Sequence, residues 1–216
     1  LSLLSCNSAE VYTMLLCGII GLPVPFSAIM ILWVNLIADL PPALSLGVDP
    51  AEPDVMTRRP RNPKDNIFNL RTIILLLYQG FSIAALSVLV YGLTLYYEAP
   101  DALHLGYRGA LYMTLDSSSV GSDGETEVID SSATERALDE LVRCQTLCLN
   151  AMTFMQLVHA FLSRSVRNSI FQRHIFNNLW LVGGVLLSAV LMVMGVYVPK
   201  MNTLLGQCPL PAIDWL

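Results

Sequence analysis

The sequence predicts an all-α fold, in which several transmembrane helices form a polytopic bundle. Hydrophobic residues make up 54% of the chain and charged residues only 13%, about half of the roughly 25% that is usual in soluble domains. The remaining charge is unevenly spread, so that long runs reach the roughly 20 apolar residues needed to cross a bilayer. A large soluble core could also be apolar, but it rarely needs repeated uncharged runs of this length.

Five runs are long and apolar enough to be membrane spans. In chain order they cover residues 1–20, 26–46, 67–97, 142–163 and 177–198. Gly21, Pro23 and Pro25 predict a tight turn between the first two spans. Pro41 and Pro42 lie inside the second span. They predict that this helix unwinds there, because proline lacks a backbone donor and clashes with the preceding turn.

Composition divides the chain into four regions. Residues 1–97 hold three spans, with the candidate ion-binding pairs and a polar loop at 47–66, and residues 98–140 form an acidic, Ser-rich segment that we expect to be disordered. Residues 141–198 supply two further spans, and residues 199–216 form a loop and the start of a truncated helix. The chain opens inside an apolar run without a signal-peptide pattern, so we expect it to be a fragment of a longer protein.

The short loops predict an orientation for this multi-pass membrane protein. The 47–66 loop carries four basic residues and the loop at 164–176 carries three arginines, and such loops face the cytoplasm. The turn at 21–25 and the acidic 98–140 segment then lie on the extracytoplasmic side. In the third span, Gly80 and Ala84 form a small-residue face that suits close helix contact.

Two functional classes are disfavoured by composition. The net charge is -5 and no basic stripe with interleaved aromatic residues is present, so the sequence predicts no nucleic-acid partner. Most of the five cysteines lie in apolar helices, where cysteine acts as a small hydrophobic residue. Cys144 and Cys148 share a helical face, but this spacing is a weak metal signal without further ligands nearby.

Polar residues inside the first two spans are the strongest functional signal. Asn7 and Glu10 are three residues apart in the first helix, and Asn35 and Asp39 are four apart in the second. Each pair therefore shares one helical side, and the short turn makes the two helices antiparallel neighbours. A charged side chain at the centre of a span costs about 2.5–3.5 kcal/mol on insertion scales. This cost favours a function that offsets it, such as the binding of a cation.

Two carboxylates and two amide oxygens are ligands that suit a hard cation. Calcium accepts six to eight oxygen ligands in irregular geometry, and unwound backbone near Pro41 and Pro42 could add carbonyl oxygens. No cysteine or histidine belongs to the pattern, which argues against zinc or copper. The alternative is that these groups only hydrogen-bond between helices, but two paired sets that include two acids favour an ion site.

The second span and the loop after it resemble the sixth transmembrane helix of calcium-type (type II) P-type ATPases. The family pattern is LWxNLxxDxxPAxxLGxxPxxxDxMxRxPR. The residues that fit it are Trp33, Asn35, Leu36, Asp39, Pro42, Ala43, Leu46, Gly47, Pro50, Asp54, Met56, Arg58, Pro60 and Arg61. The preceding SCNSAEV is similar to the family's fifth-helix motif. The resemblance covers the whole chain, as helices five to nine and the edge of helix ten.

The resemblance implies that Asn7, Glu10, Asn35 and Asp39 coordinate the transported ion, with Asp39 central. It also implies that the 47–66 loop transmits movement of the phosphorylation domain to the membrane. Glu52 and Asp54 are the plausible contacts in that loop. The alternative, that this loop is only a solvated connector, is supported equally by the sequence.

Two departures from the family pattern bear on the number of ions. Ala38 stands where two-site calcium pumps usually have threonine, and Gln156 stands where they place an acid in the eighth helix. We therefore expect one calcium ion per cycle, with Gln156 as a neutral ligand. His159, one turn away, is expected to pack between helices.

The function implied by the resemblance is ATP-driven transport of calcium, or a similar divalent cation, across a membrane. The phosphorylated Asp-Lys-Thr-Gly motif and any nucleotide-binding segment are absent from these residues, so ATP and magnesium would bind elsewhere in the longer protein. The expected partners are the lipid bilayer and that protein's own cytoplasmic phosphorylation domain. Alternatives are a pump for sodium, potassium, manganese or protons, a passive channel or ion-coupled carrier, and a purely structural bundle.

Overall fold

The computed structural model describes residues 2–48, 69–99, 131–163 and 179–210, and within these ranges the regular structure is entirely helical. The α-helices in chain order are α1 (Ser2–Ile20), α2 (Ala28–Trp33), α3 (Leu40–Gly47), α4 (Leu70–Glu98), α5 (Ser131–Leu162), α6 (Leu179–Tyr197) and α7 (Pro199–Leu205). A π-helical segment, Val34–Asp39, joins α2 to α3 without a break. The all-α prediction is confirmed.

The turn between the first two spans forms where the sequence predicts it. Gly21 has a φ of 85°, a conformation that glycine adopts readily, and its amide and that of Leu22 both donate to the carbonyl of Cys17. Ser27 then caps the next helix, because its hydroxyl accepts a 3.3 Å hydrogen bond from the amide of Met30. The two spans therefore run antiparallel, and we call this side of the bundle the turn end.

The prediction that the second span unwinds at Pro41 and Pro42 is wrong. The backbone stays helical from Ala28 to Gly47, and the irregularity is the π-helical segment that lies before the two prolines. A proline ring clashes with the carbonyl four residues earlier. A helix that continues through two prolines can relieve this clash by widening the preceding turn, and a π-helical turn is such a widening.

The longest of the described helices, α5, starts earlier than the fourth predicted span. It begins at Ser131, so residues 131–140, which the sequence placed in the acidic segment, are helical. Its 32 residues correspond to about 48 Å at the usual rise per residue, more than the roughly 30 Å of a hydrocarbon core. Residues 100–130 of the acidic segment lie outside the described residues, as do 49–68 and 164–178.

Small residues allow the closest helix contacts. A Cβ atom at Gly80 on α4 would lie 3.1 Å from the carbonyl oxygen of Ser5 on α1, and Ala84, one turn further, is fully buried. Gly184 on α6 lies in the same way against Pro41 and Ser45 of α3. The predicted close contact of the Gly80 and Ala84 face is confirmed.

Within the described ranges, four helices are long and apolar enough to cross a membrane. They are Ser2–Ile20, Ala28–Gly47, Leu70–Tyr97 and Leu179–Tyr197. Large apolar side chains such as Ile19, Leu32 and Tyr78 are exposed along them, as expected of surfaces that face lipid. Helix α5 packs against α4 and α6. It is more polar than these four helices and buries several of its polar side chains inside the bundle. The chain is a multi-pass membrane protein.

Candidate functional site

The π-helical segment and α1 bring an amide and a carboxylate together. The Nδ2 atom of Asn35 donates a hydrogen bond of 3.0 Å to Oε2 of Glu10. Glu10 is only 5% exposed, while its other oxygen, Oε1, has no hydrogen-bond partner among the described residues. One carboxylate oxygen is thus held by the neighbouring helix, and the other remains free to bind a ligand.

Asp39 ends the π-helical segment on the same side of the bundle interior. It is 6% exposed, and its Oδ2 atom has no hydrogen-bond partner within the described part of the chain. The thiol of Cys6 on α1 faces this carboxylate, and Glu10 is close enough to act on it electrostatically. Cys6 precedes Glu10 by four residues, so the sequence spacing could have indicated that the two side chains share one face.

Gln156 on α5 completes the cluster from a third helix. Its side chain is 2% exposed and lies next to the Glu10 carboxylate. Neither Oε1 nor Nε2 has a hydrogen-bond partner in the described ranges. The structure therefore gathers Glu10, Asn35, Asp39 and Gln156, and we call these four residues the polar cluster.

Asn7 does not join the polar cluster. It is exposed on α1, whereas Glu10 three residues later is buried. A helix advances about 100° per residue, so residues three apart point about 60° away from each other. This angle places Glu10 inside the bundle and Asn7 on its surface. The other two predicted site residues, Glu52 and Asp54, lie outside the described residues.

The polar cluster has the chemistry of a site for a hard cation. Three of its oxygen atoms, Glu10 Oε1, Asp39 Oδ2 and Gln156 Oε1, are buried without hydrogen-bond partners among the described residues. Burial of such atoms is unfavourable unless a partner satisfies them. Within the same residues, no three His, Cys, Asp or Glu side chains group closely enough to hold a metal ion by themselves. Amide or backbone oxygens would have to complete the coordination, as calcium allows.

A second polar contact links α1 to α5 near the polar cluster. His159 is 4% exposed, and its Nε2 atom lies 2.8 Å from the hydroxyl oxygen of Ser5. The predicted role of His159 in packing between helices is consistent with this contact. His159 belongs to a series of buried polar side chains along α5, which we call the α5 polar stripe: Thr146, Asn150, Thr153, Gln156 and His159.

Comparison with known proteins places the chain in a family. Residues 23–216 match the family described as cation transporting ATPase, C-terminus. The chain is 34% identical over 215 residues to calcium-transporting ATPase 1 of Bacillus cereus, and the match covers 100% of this chain and 21% of that protein.

Two further relatives match over the same extent. A calcium-transporting ATPase of Bacillus subtilis is 30% identical over 99% of this chain and 20% of its own length. A calcium-transporting ATPase of Plasmodium falciparum is 31% identical over 99% of this chain and 18% of its own length. The chain spans about one fifth of the relatives that it matches. It belongs to the family of cation-transporting ATPase C-terminal regions.

Proposed function

We propose that this chain supplies the ion-binding path of an ATP-driven calcium pump. The observation that carries the proposal is the pair of buried carboxylates, Glu10 and Asp39, each with an oxygen unpartnered in the described structure. Two charges at this depth are strongly unfavourable unless a counter-charge or protons neutralise them. A divalent cation between them is one such counter-charge, and its removal creates a need for protons.

The ligand chemistry favours calcium as the cargo. Carboxylate and amide oxygens from three elements can form an irregular shell, which calcium tolerates and magnesium does not. The similar Bacillus and Plasmodium proteins are named as calcium-transporting ATPases. Since the polar cluster holds two carboxylates and a neutral Gln156, we propose one calcium ion per cycle.

The helix arrangement supports a mechanism for affinity change. Asn35 and Asp39 both lie on the π-helical segment, while Glu10 lies on α1, so any relative movement of these elements changes the spacing of the two carboxylates. Separation of the elements would also break the Asn35–Glu10 hydrogen bond. The movement would originate in the cytoplasmic phosphorylation domain of the longer protein and reach the membrane through the loop with Glu52 and Asp54. ATP and magnesium would bind in that domain.

The test uses the full-length protein that contains this chain, reconstituted in vesicles. We expect Asp39→Asn and Glu10→Gln each to abolish ATP-dependent calcium uptake and calcium-dependent phosphorylation from ATP, because each removes half of the counter-charge for the ion. The matched control is Asp139→Asn, on the exposed start of α5, which should retain both activities. Normal phosphorylation at low calcium in Asp39→Asn would contradict the proposal. Uptake of manganese with no uptake of calcium would contradict the choice of cargo.

A further inference from the structure

A small cavity lies beside the π-helical segment, towards the turn end from the polar cluster. Its volume is about 10 Å³. Its apolar walls include Val34 of the π-helical segment and Met192 of α6. Its polar walls include Asn150 and Thr153 of the α5 polar stripe, Gln207, which follows α7, and the indole of Trp33 on α2. The cavity therefore has polar groups from separate parts of the chain on an otherwise apolar surface.

Two of the polar groups that line the cavity lack partners among the described residues. Asn150 is 7% exposed and its donor atom Nδ2 is unpartnered, while Gln207 is 6% exposed and its acceptor atom Oε1 is unpartnered. The hydroxyl of Thr153 donates to the carbonyl of Leu149, so its oxygen can still accept a hydrogen bond. These three side chains thus offer one donor and two acceptors.

We propose that this cavity is a binding site for a single water molecule. A water needs roughly 10–15 Å³ of such space and typically makes about three hydrogen bonds. Here it would accept from Asn150 Nδ2 and donate to Gln207 Oε1 and Thr153 Oγ1, which satisfies both unpartnered polar atoms of the lining. A cation is disfavoured, because no carboxylate among the described residues lines the cavity and the Asn150 amide presents a donor.

Gln207, in the segment that follows α7, lines the cavity at the turn end. Gly206 ends α7 in the left-handed conformation with a φ of 63°, and the amide of Gln207 donates back to the carbonyl of Asn202. The amide of Cys208 donates to the hydroxyl of Thr146 on α5 at 3.2 Å. These bonds hold Gln207 over the cavity at the side of the bundle predicted to be extracytoplasmic.

The position of the water gives it a role that rests on the proposed function. Asn150 and Thr153 precede Gln156 along the α5 polar stripe by six and three residues. The water would therefore lie about one to two helical turns from the polar cluster, on the way to the extracytoplasmic side. It would be the first water molecule to contact an ion or proton that leaves the polar cluster towards the predicted extracytoplasmic side.

Hydroxyl-radical footprinting of the wild-type full-length protein tests the water directly. Radiolysis of a bound water oxidises side chains next to it, so Met192 should be oxidised several-fold faster than two control methionines. Met152 is fully buried and does not line the cavity, and Met194 is exposed on the apolar surface of α6. A Met192 rate no higher than those of both controls would overturn the proposal.

Paired substitutions give a second test with opposite outcomes for a wet and a dry cavity. If water binds, Asn150→Leu and Gln207→Met each remove one of its partners, and each lowers the unfolding temperature by at least about 2 °C. The double variant should lose less than the sum of the two. If the cavity is dry, each single change removes an unsatisfied buried group and raises the unfolding temperature, which would contradict the proposal.

The control for the paired substitutions is Thr203→Val. Thr203 is exposed on α7, and among the described residues its hydroxyl bonds only within its own helix, to the carbonyl of Pro199. Its replacement should leave the unfolding temperature unchanged. Neither measurement depends on transport, so a failure of the calcium-uptake experiment and a failure of the water site are separate results.

Discussion

Asn35 and Glu10 are joined by a 3.0 Å hydrogen bond between helices that the 21–27 turn makes antiparallel. The bond fixes Glu10 Oε2 and leaves Oε1 unpartnered among the described residues. An amide donor therefore orients one carboxylate of the polar cluster, which we propose to bind the ion. Such orientation reduces the ordering that binding itself would require.

The first prediction concerns this bond. Asn35→Leu should weaken calcium activation of phosphorylation about tenfold or more, because a hydrogen bond to a charged group contributes about 1.5–3 kcal/mol. The measurement is the calcium concentration for half-maximal phosphorylation from ATP in the full-length protein. The matched control is Gln145→Leu, which removes a different long-range amide bond, from Gln145 Nε2 on α5 to the carbonyl of Val24 in the 21–27 turn. Equal losses of calcium affinity in both variants would mean that Asn35 acts only in packing.

The spacing of Glu10, Asn35 and Asp39 was sufficient to predict that their side chains meet. Helical periodicity fixes which residues share a side, and the turn at Gly21 fixes the antiparallel pairing. The same spacing failed for Asn7, because a difference of about 60° on a helix is resolved only by the positions of the neighbouring helices. Periodicity predicts which residues share one side of a helix, but only the packing of neighbouring helices decides which of those residues are buried.

The π-helical segment was beyond what the sequence could predict. Two adjacent prolines indicated a disturbed helix, but the disturbance could be an unwound turn, a kink or a wider turn. The contacts of α6 with α3 and with the π-helical segment come from residues more than 130 positions further along the chain. The helical start of α5 was missed for a different reason. Its acidic, Ser-rich sequence has no apolar periodicity from which a helix could be predicted.

The second prediction concerns the contact of α6 with α3. Gly184→Ala should destabilise the protein by about 1–3 kcal/mol, a typical result of overpacking, because the new Cβ would lie 2.8 Å from the carbonyl oxygen of Pro41. Gly183→Ala is the neighbouring control, since a Cβ there meets no atom of the described residues within 4 Å. The measurement is the unfolding temperature in detergent, which should fall for Gly184→Ala alone. Parallel changes in the two variants would contradict the predicted contact.

The third prediction concerns the contact between Ser5 and His159. His159→Leu should lower stability by about 0.5–1.5 kcal/mol, the usual contribution of one hydrogen bond. A double-mutant cycle with Ser5→Ala should give a positive coupling energy, because the two side chains are 2.8 Å apart. As a control, Ser8→Ala removes an exposed hydroxyl that bonds to its own helix, and it should show no coupling with His159→Leu. A coupling of zero for Ser5 would place the stabilising contact of His159 elsewhere.

The last prediction concerns Gln156, the neutral member of the polar cluster. Gln156→Glu adds a third carboxylate beside Glu10, and affinity for calcium rises with the charge of the ligand set, so half-maximal phosphorylation should need less calcium. Gln156→Leu removes an oxygen and should need more. Both variants replace the same buried side chain. If Gln156 had only a structural role, both would therefore weaken activity. Opposite shifts of the calcium requirement therefore identify Gln156 as a ligand, whereas shifts in the same direction assign it to packing.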